Sequence, residues 1–223
     1  MIPRELVAKA AIPGHDQELR CYRHDGAYEL WIDGIELMSS RVHGSEEQLA
    51  ELTIAAIGAR PNPHLLVGGL GMGFTLARTL ALVPEAARVD VAELVPEVVT
   101  WNRELFGHCA GHPLADPRVT VHVGDVGKLV ATASGRYDAI LLDVDNGPEG
   151  LTRPANNSLY NRPGLAAAKA ALTRGGAFAV WSSVDDAQFE RRMRDSGFQI
   201  ATHHVRARRT KGARRTIYIA QRA

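Results

Sequence analysis

Two hydrophobic rhythms divide the chain. Over the first forty residues short runs of alternating apolar and polar positions are separated by Asp-Gly pairs. Residues 18–23 and 27–32 read as strands joined by Asp25-Gly26, a pair suited to the positive φ angles of a tight hairpin. Asp33-Gly34 then leads into residues 35–38, so a three-stranded meander is predicted. Next the period lengthens: Leu49, Leu52, Ala56 and Ile57 recur at helical spacing. Ser45 is the expected N-cap, with Gln48 three residues on to complete a capping box, and Gly58 is placed to end the helix in the left-handed conformation. Pro61 and Pro63 mark a break. Beyond it, apolar runs at 65–67, 88–92, 119–123, 137–142 and 177–181 lack polar alternation, as strands covered on both faces do. Helical stretches at 74–82, 96–106, 126–133, 165–172 and 187–196 separate them, and extended runs at 198–205 and 216–220 follow, close enough to pair as an antiparallel hairpin. The expected architecture is α/β: a doubly wound, mostly parallel seven-stranded sheet preceded by a small β meander.

Length and composition narrow this picture without changing it. At 223 residues the chain suits one full domain with an appendage, divided as 1–44 and 45–223. Hydrophobic residues make up 45% and charged residues 23%, which excludes a disordered or fibrous chain. No uncharged apolar run approaches the length of a membrane span, and residues 1–5 show no signal-peptide pattern. Cys21 and Cys109 make neither a CxxC pair nor a disulfide framework, so a reduced, cytoplasmic protein is expected. A net charge of +1 provides no global field for nucleic acid or an anionic membrane.

The densest chemistry lies in Leu65-Leu-Val-Gly-Gly-Leu-Gly-Met-Gly-Phe74, a strand running into a glycine turn that opens a helix. Gly68, Gly69, Gly71 and Gly73 let backbone approach a ligand closely, and the spacing G-x-G-x-G, rather than G-x-G-x-x-G, favours S-adenosylmethionine (SAM) or a related nucleoside over NAD. The plain alternative is a tight turn without a ligand. Glu93, twenty residues past Gly73 at the end of the second parallel strand, is positioned to accept both hydroxyls of a ribose, with Leu94 beside it. Asp125, followed by Val126, suits the adenine amino group or the N-cap of the next helix, two compatible roles. Asp143 and Asp145 leave the fourth strand where a substrate meets the cofactor; a carboxylate there can orient a nucleophile and take its proton. Both can also be turn formers ahead of Asn146-Gly147, and Asp145 stays open between the two.

In this order, the glycine turn, Glu93-Leu-Val-Pro-Glu-Val-Val99, Asp116-Pro-Arg-Val119 with Gly124-Asp125, residues 137–143 with Gly147-Pro148, and Leu159-Tyr160 before Leu172-Thr-Arg-Gly-Gly176 resemble the spermidine synthase (polyamine aminopropyltransferase) family. His43-Gly-Ser-Glu46 falls where that family carries a Tyr-His-Glu signature, and the likeness runs from about Tyr28 to Ser183. It implies a Rossmann-like sheet of the class I SAM methyltransferase type, an N-terminal β unit, a homodimer, and a substrate side that includes Glu46, Asp145 and Tyr160. Three departures stand out. Gly71 occupies the place of the aspartate that, in the family, meets the amine end of decarboxylated SAM; without it, no like charge opposes the carboxylate of intact SAM. Gly44 and Ser45 replace the signature tyrosine and histidine, and the acidic loop is shortened to Asp143-Val-Asp-Asn. The departures from that family point to a SAM-dependent methyltransferase on the same scaffold, acting on a small-molecule acceptor, with Asp143 as base or orienting acid. The alternatives are an aminopropyltransferase using decarboxylated SAM and a nucleoside-binding protein without turnover.

Weaker features complete the reading. Six basic residues among positions 206–215 suit a solvated hairpin tip or a clamp for an acidic group, with no interleaved aromatics to favour nucleic acid. His108, Cys109 and His112 match no zinc spacing, so no metal is expected. His203 and His204 face opposite ways on a strand, and Trp31, Trp101 and Trp181 are expected to fill the core or line a pocket.

Overall fold

The computed structural model describes residues 3–144 and 157–223. The chain opens with a four-stranded antiparallel sheet in sequential order, β1 (Glu5–Ala11), β2 (Glu18–His24), β3 (Ala27–Ile32) and β4 (Ile35–Ser39). Both Asp-Gly pairs turn as predicted: Asp25 and Asp33 have φ of +48°, and Gly26 and Gly34 have +74° and +80°. The expected meander lacked β1. This edge strand pairs with β2 across a register shift between Leu6 and Ala8, and of its seven side chains only Ala10 is buried, so its sequence carries little apolar alternation.

Helix α1 (Gly44–Ile57) begins earlier than its capping signature indicated. Ser45 is not the N-cap: His43 holds that place, and the Ser45 hydroxyl donates instead to Glu46 Oε2 at 2.7 Å. Gln48 Nε2 turns back to the Gly44 carbonyl, while the Gly44 N–H reaches Ala207 O at 2.9 Å. Gly58 ends the helix with positive φ, +65°, but with extended ψ rather than the left-handed value expected.

Alternation then proceeds through β5 (His64–Gly68), α2 (Phe74–Leu82), β6 (Arg88–Glu93), α3 (Pro96–Glu104), β7 (Val119–Val123), α4 (Val126–Thr132), β8 (Tyr137–Leu142), α5 (Asn157–Tyr160), α6 (Arg162–Ala171), β9 (Leu172–Ser182), α7 (Ala187–Asp195), β10 (Gln199–Arg206) and β11 (Arg214–Gln221). Helix α3 stops before residue 106 because single 3-10 turns, Gly107–Ala110 and Pro113–Ala115, carry the chain round Gly111 at φ +72°. Helix α6 starts earlier than its apolar pattern because Asn161 caps it, accepting the Gly164 N–H at 2.9 Å.

The second sheet has the order β10-β11-β9-β8-β5-β6-β7, parallel from β9 to β7 with an antiparallel hairpin of β10 and β11 beyond β9. It is the expected seven-stranded, mostly parallel sheet. Each central strand feeds two cores. Leu65 and Val67 of β5 join one with Leu49, Leu76, Trp101 and Ile217, whereas Leu66 joins the other with Ile140, Leu165, Phe178, Phe189 and Tyr218. Strand order reverses between β5 and β8, and the loops after these two strands open beside each other, the crevice where open α/β sheets place ligands.

Candidate active site

A cleft lies along the carboxyl edge of the parallel strands, with about 1080 Å³ free of protein atoms when its open mouth is counted. Its floor comes from the loops after β5, β6, β7 and β8, and the N-terminal sheet closes it from above with Ile12, Leu19, Leu30, Ile32 and Met38. That sheet buries its apolar face in the same core as β5 and β6, which fixes the roof over the floor.

The glycine loop is tied down at several points. Gly69 N–H donates to Ala92 O at 2.9 Å, Gly73 N–H to Leu70 O at 2.8 Å, and Asn102 Nδ2 reaches Gly71 O at 2.7 Å. Gly69, at φ +88°, leaves no room for a side chain, since a Cβ there would stand 2.3 Å from the Asp143 carbonyl oxygen. This close approach brings the ends of β5 and β8 together, with Asp143 N–H on Gly68 O at 2.8 Å. At Gly71, φ +49°, a Cβ would fall 2.8 Å from the sulfur of Met38, which descends from the roof. Gly69 and Gly71 line the cleft. Gly68 and Gly73 lie beneath it: Gly68 packs on Leu142 and Val126, and Gly73 begins α2 against Pro113.

Glu93 lines the cleft at the end of β6 and braces the loop. Its Oε2 accepts Leu70 N–H and its Oε1 accepts Val95 N–H, both at 2.9 Å, and the Gly71 and Leu94 N–H groups also point to it. Burial nevertheless raises the proton affinity of this carboxyl above the usual value. Asp125 caps α4 by accepting Gly127 N–H at 2.8 Å and also faces the cleft, so its two expected roles coexist geometrically. Leu94, Val95, Val98 and Val126 add an apolar wall between the two acids. A carboxylate, backbone groups and an apolar slot in this sequence fit an adenosyl group.

Across the strand reversal lies a second acid pair. Glu46, one turn into α1 and 8% exposed, and Asp143, past the end of β8, both face the cleft. Each holds one hydroxyl donor: Ser45 for Glu46 at 2.7 Å, and Thr75 Oγ1 for Asp143 Oδ2 at 2.6 Å. Burial, then repulsion from Asp143, pushes Glu46 up to about 7; burial pushes Asp143 up to about 6. The two titrate as a coupled pair raised toward neutral, and in the ionised form they can orient a cationic or hydroxylic group and take a proton from it.

The remaining expected residues scatter. Tyr160 is buried in the core on the far face, edge-on to Phe189 at 5.4 Å between ring centroids, and does not line the cleft. Asp145 lies outside the described residues, as do Asn146, Gly147 and Pro148. The basic stretch is the exposed hairpin tip expected between β10 and β11, with Arg209 pairing across to Glu47 at 3.0 Å and to Glu51, both on α1. Two residues at the site escaped sequence reasoning. Thr75 follows the glycine loop by two positions, and its buried hydroxyl donates to Asp143. Met38 had no signal in the sequence, being one apolar residue among several in its strand, whereas Trp181, expected to fill the core or line a pocket, does line the cleft.

The comparisons with known proteins concern the family and the fold. A model of the spermine/spermidine synthase domain matches residues 43–193. Putrescine N-methyltransferase 3 of Nicotiana tabacum is 39% identical over 123 residues, which are 54% of this chain and 30% of that protein. Spermidine synthase 1 of Pisum sativum is 34% identical over 151 residues, 66% of this chain and 42% of that protein. The alignments thus span less than half of the curated relatives. The crystal structure of spermidine synthase from Thermotoga maritima superposes with a TM-score of 0.73 at 18% identity, covering 98% of this chain and 73% of that one. A spermidine synthase in complex with the transition state analogue AdoDATO gives the same TM-score at 16% identity, and 98% and 72% coverage.

Proposed function

The chain belongs to the spermine/spermidine synthase family of transferases, and from that premise we propose that it transfers the methyl group of intact SAM to the nitrogen of a small amine. The observation that carries this reading is Gly71 beneath Met38. The methionine sulfur occupies the direction a side chain at position 71 would take, so this part of the loop presents no carboxylate to the amino-acid end of the cofactor. Two like charges about 4 Å apart in a semi-buried site cost several kcal/mol, enough to decide between intact and decarboxylated SAM. The putrescine N-methyltransferases among the relatives support the same direction.

Bound SAM supplies a methyl carbon already activated by the sulfonium. The chain's part is to hold and to desolvate. Glu93 and Asp125, with Leu94 and Val126 between them, are the proposed grip on ribose and adenine, and Gly69 and Gly71 admit the sulfonium end against the backbone. Asp143, anchored by Thr75 and by its own N–H on Gly68, is the proposed base, with Glu46 as the second acceptor. An amine reaches the site protonated in water and must lose that proton to become a nucleophile. A carboxylate whose proton affinity is raised toward neutral is better matched to this than an exposed one. The roof of Ile12, Leu30 and Ile32 lines the same cleft with apolar surface.

Calorimetry with SAM and decarboxylated SAM tests the reading, followed by turnover with amines. SAM is expected to bind at least tenfold more tightly and to yield a methylated amine. Tighter binding of decarboxylated SAM, with aminopropylated product, would overturn it in favour of the second reading, aminopropyl transfer, which the spermidine synthase relatives support.

A further inference from the structure

Building on methyl transfer to an amine, we propose that Trp181 and Arg215 form a carboxylate-binding subsite for the acceptor, so that the substrate carries an acid group as well as the amine. Trp181 lines the cleft from the end of β9 and is 7% exposed. Its indole Nε1 is buried and finds no hydrogen-bond partner among the described residues. That N–H only donates, so an ammonium cannot satisfy it and an oxygen can. Arg215 lies on the same face of the sheet: Ile217 pairs directly with Trp181, and Arg215 stands two residues before it, its guanidinium carbon 5.4 Å from the indole centroid.

The other arginines near it are used differently. Arg209 is spent on Glu47 and Glu51, and Arg206, Arg208 and Arg214 are exposed, whereas Arg215 is half-buried. Among the described residues no carboxylate lies within ion-pair distance of it, and its one hydrogen bond goes to the Arg214 carbonyl at 3.0 Å. Its charge nonetheless reaches the Glu46 carboxyl and favours the ionised form.

Position along the sheet edge says which ligand would be read. Along the carboxyl edge from β7 to β9 the cleft presents Asp125, Glu93, the glycine loop, Asp143 and Trp181, and Arg215 on β11 stands next, beside Trp181. The nucleoside end and the Trp181–Arg215 pair thus flank the acids from opposite sides. An amine held at Glu46 and Asp143 would extend its far end toward two donors. A diamine would bring a second ammonium against Arg215; an amino acid would bring a carboxylate.

The test is calorimetry on the protein saturated with S-adenosylhomocysteine, titrated with ω-amino carboxylates of three to six carbons, α-amino acids and diamines of matched length. At least one carboxylate class is expected to bind tenfold or more tightly than its matched diamine. Arg215→Gln should weaken it by about tenfold to a hundredfold without weakening diamines. Arg215→Lys should recover part of this, and Trp181→Phe, which keeps the ring and removes the N–H, should cost several-fold. Preference for diamines with no effect of Arg215→Gln overturns the subsite. So does a loss of SAM affinity, relative to decarboxylated SAM, in Arg215→Gln, since the pair would then read the cofactor's own carboxylate. Repeating the titration without nucleoside separates the two proposals: nucleoside binding without carboxylate binding sinks only the subsite, and Arg215-dependent carboxylate binding without nucleoside binding sinks only the transferase reading.

Discussion

Opposite edges of one parallel sheet each bury carboxylates, and their surroundings push them in opposite directions. At the amino edge, burial works to raise the proton affinity of Asp90 in β6, but its neighbours prevail. His64 Nε2 lies 3.0 Å from it, His122 Nε2 3.3 Å, the Tyr137 hydroxyl 3.0 Å and an Arg136 nitrogen 2.9 Å, and together they hold the carboxyl well below the usual range. At the carboxyl edge, Glu46 and Asp143 have one hydroxyl apiece and each other, so burial prevails and both rise. Donor number alone does not separate them, since Glu93 accepts backbone N–H groups on both oxygens and still rises; Asp90 differs in having the Arg136 guanidinium and two imidazoles beside it. Asp90, held by polar and charged neighbours of its own chain, is part of the scaffold; the Glu46–Asp143 pair, short of such neighbours, is better matched to a cation from outside.

The sharpest way to break this contrast is Asp143→Asn. Under the proposed function it lowers kcat by about 10²- to 10⁴-fold, while thermal melting at pH 7 stays level or rises because a like-charge contact is gone. Unchanged turnover would remove Asp143 from the chemistry. Asp90→Asn should do the reverse, losing on the order of 3 kcal/mol in urea unfolding as the cluster around it is left unbalanced, with SAM binding intact.

The pH dependence should separate the two edges next. Glu46 and Asp143 bind a proton more tightly folded than unfolded, so their contribution is full below about pH 4. It is lost as pH rises toward about 7. Asp90 has the opposite sign: its contribution is full above about pH 4 and is lost as pH drops below that. Melting of wild type and Asp143→Asn between pH 4 and 8 checks the first part, since the variant should flatten the decline; parallel curves would contradict it.

A smaller effect is expected from Gly71→Asp, made with Met38→Ala to open space. Asp tolerates the φ of +49° at this position, and SAM affinity should fall at least tenfold while that of decarboxylated SAM is spared. Least of all, Arg209→Ala should cost below about 1 kcal/mol, and less still in high salt, because its ion pairs with Glu47 and Glu51 are largely exposed.

Much of this scaffold is legible in one dimension. Strands β7 and β8 and helix α2 begin and end where the apolar pattern puts them, and both Asp-Gly turns adopt their positive φ angles. Strand β1 was missed because an edge strand buries almost nothing that a pattern can register. Ser45 misled for another reason: a serine ahead of a helix reads as a cap, and only the neighbouring Glu46 and the approach of Ala207 divert it.

What the residue order determines alone is local. Glycine spacing, turn pairs and doubly covered strands depend on φ, ψ and period, and these need no distant partner. The tertiary structure decides the rest. Met38 from the roof meets Gly71 from the floor, Glu46 meets Asp143 across 97 positions of chain, and Trp181 meets Arg215 across two strands. Proton affinity, donor shortage and ligand charge arise from such encounters, because burial and Coulomb's law act through space and take no account of sequence separation.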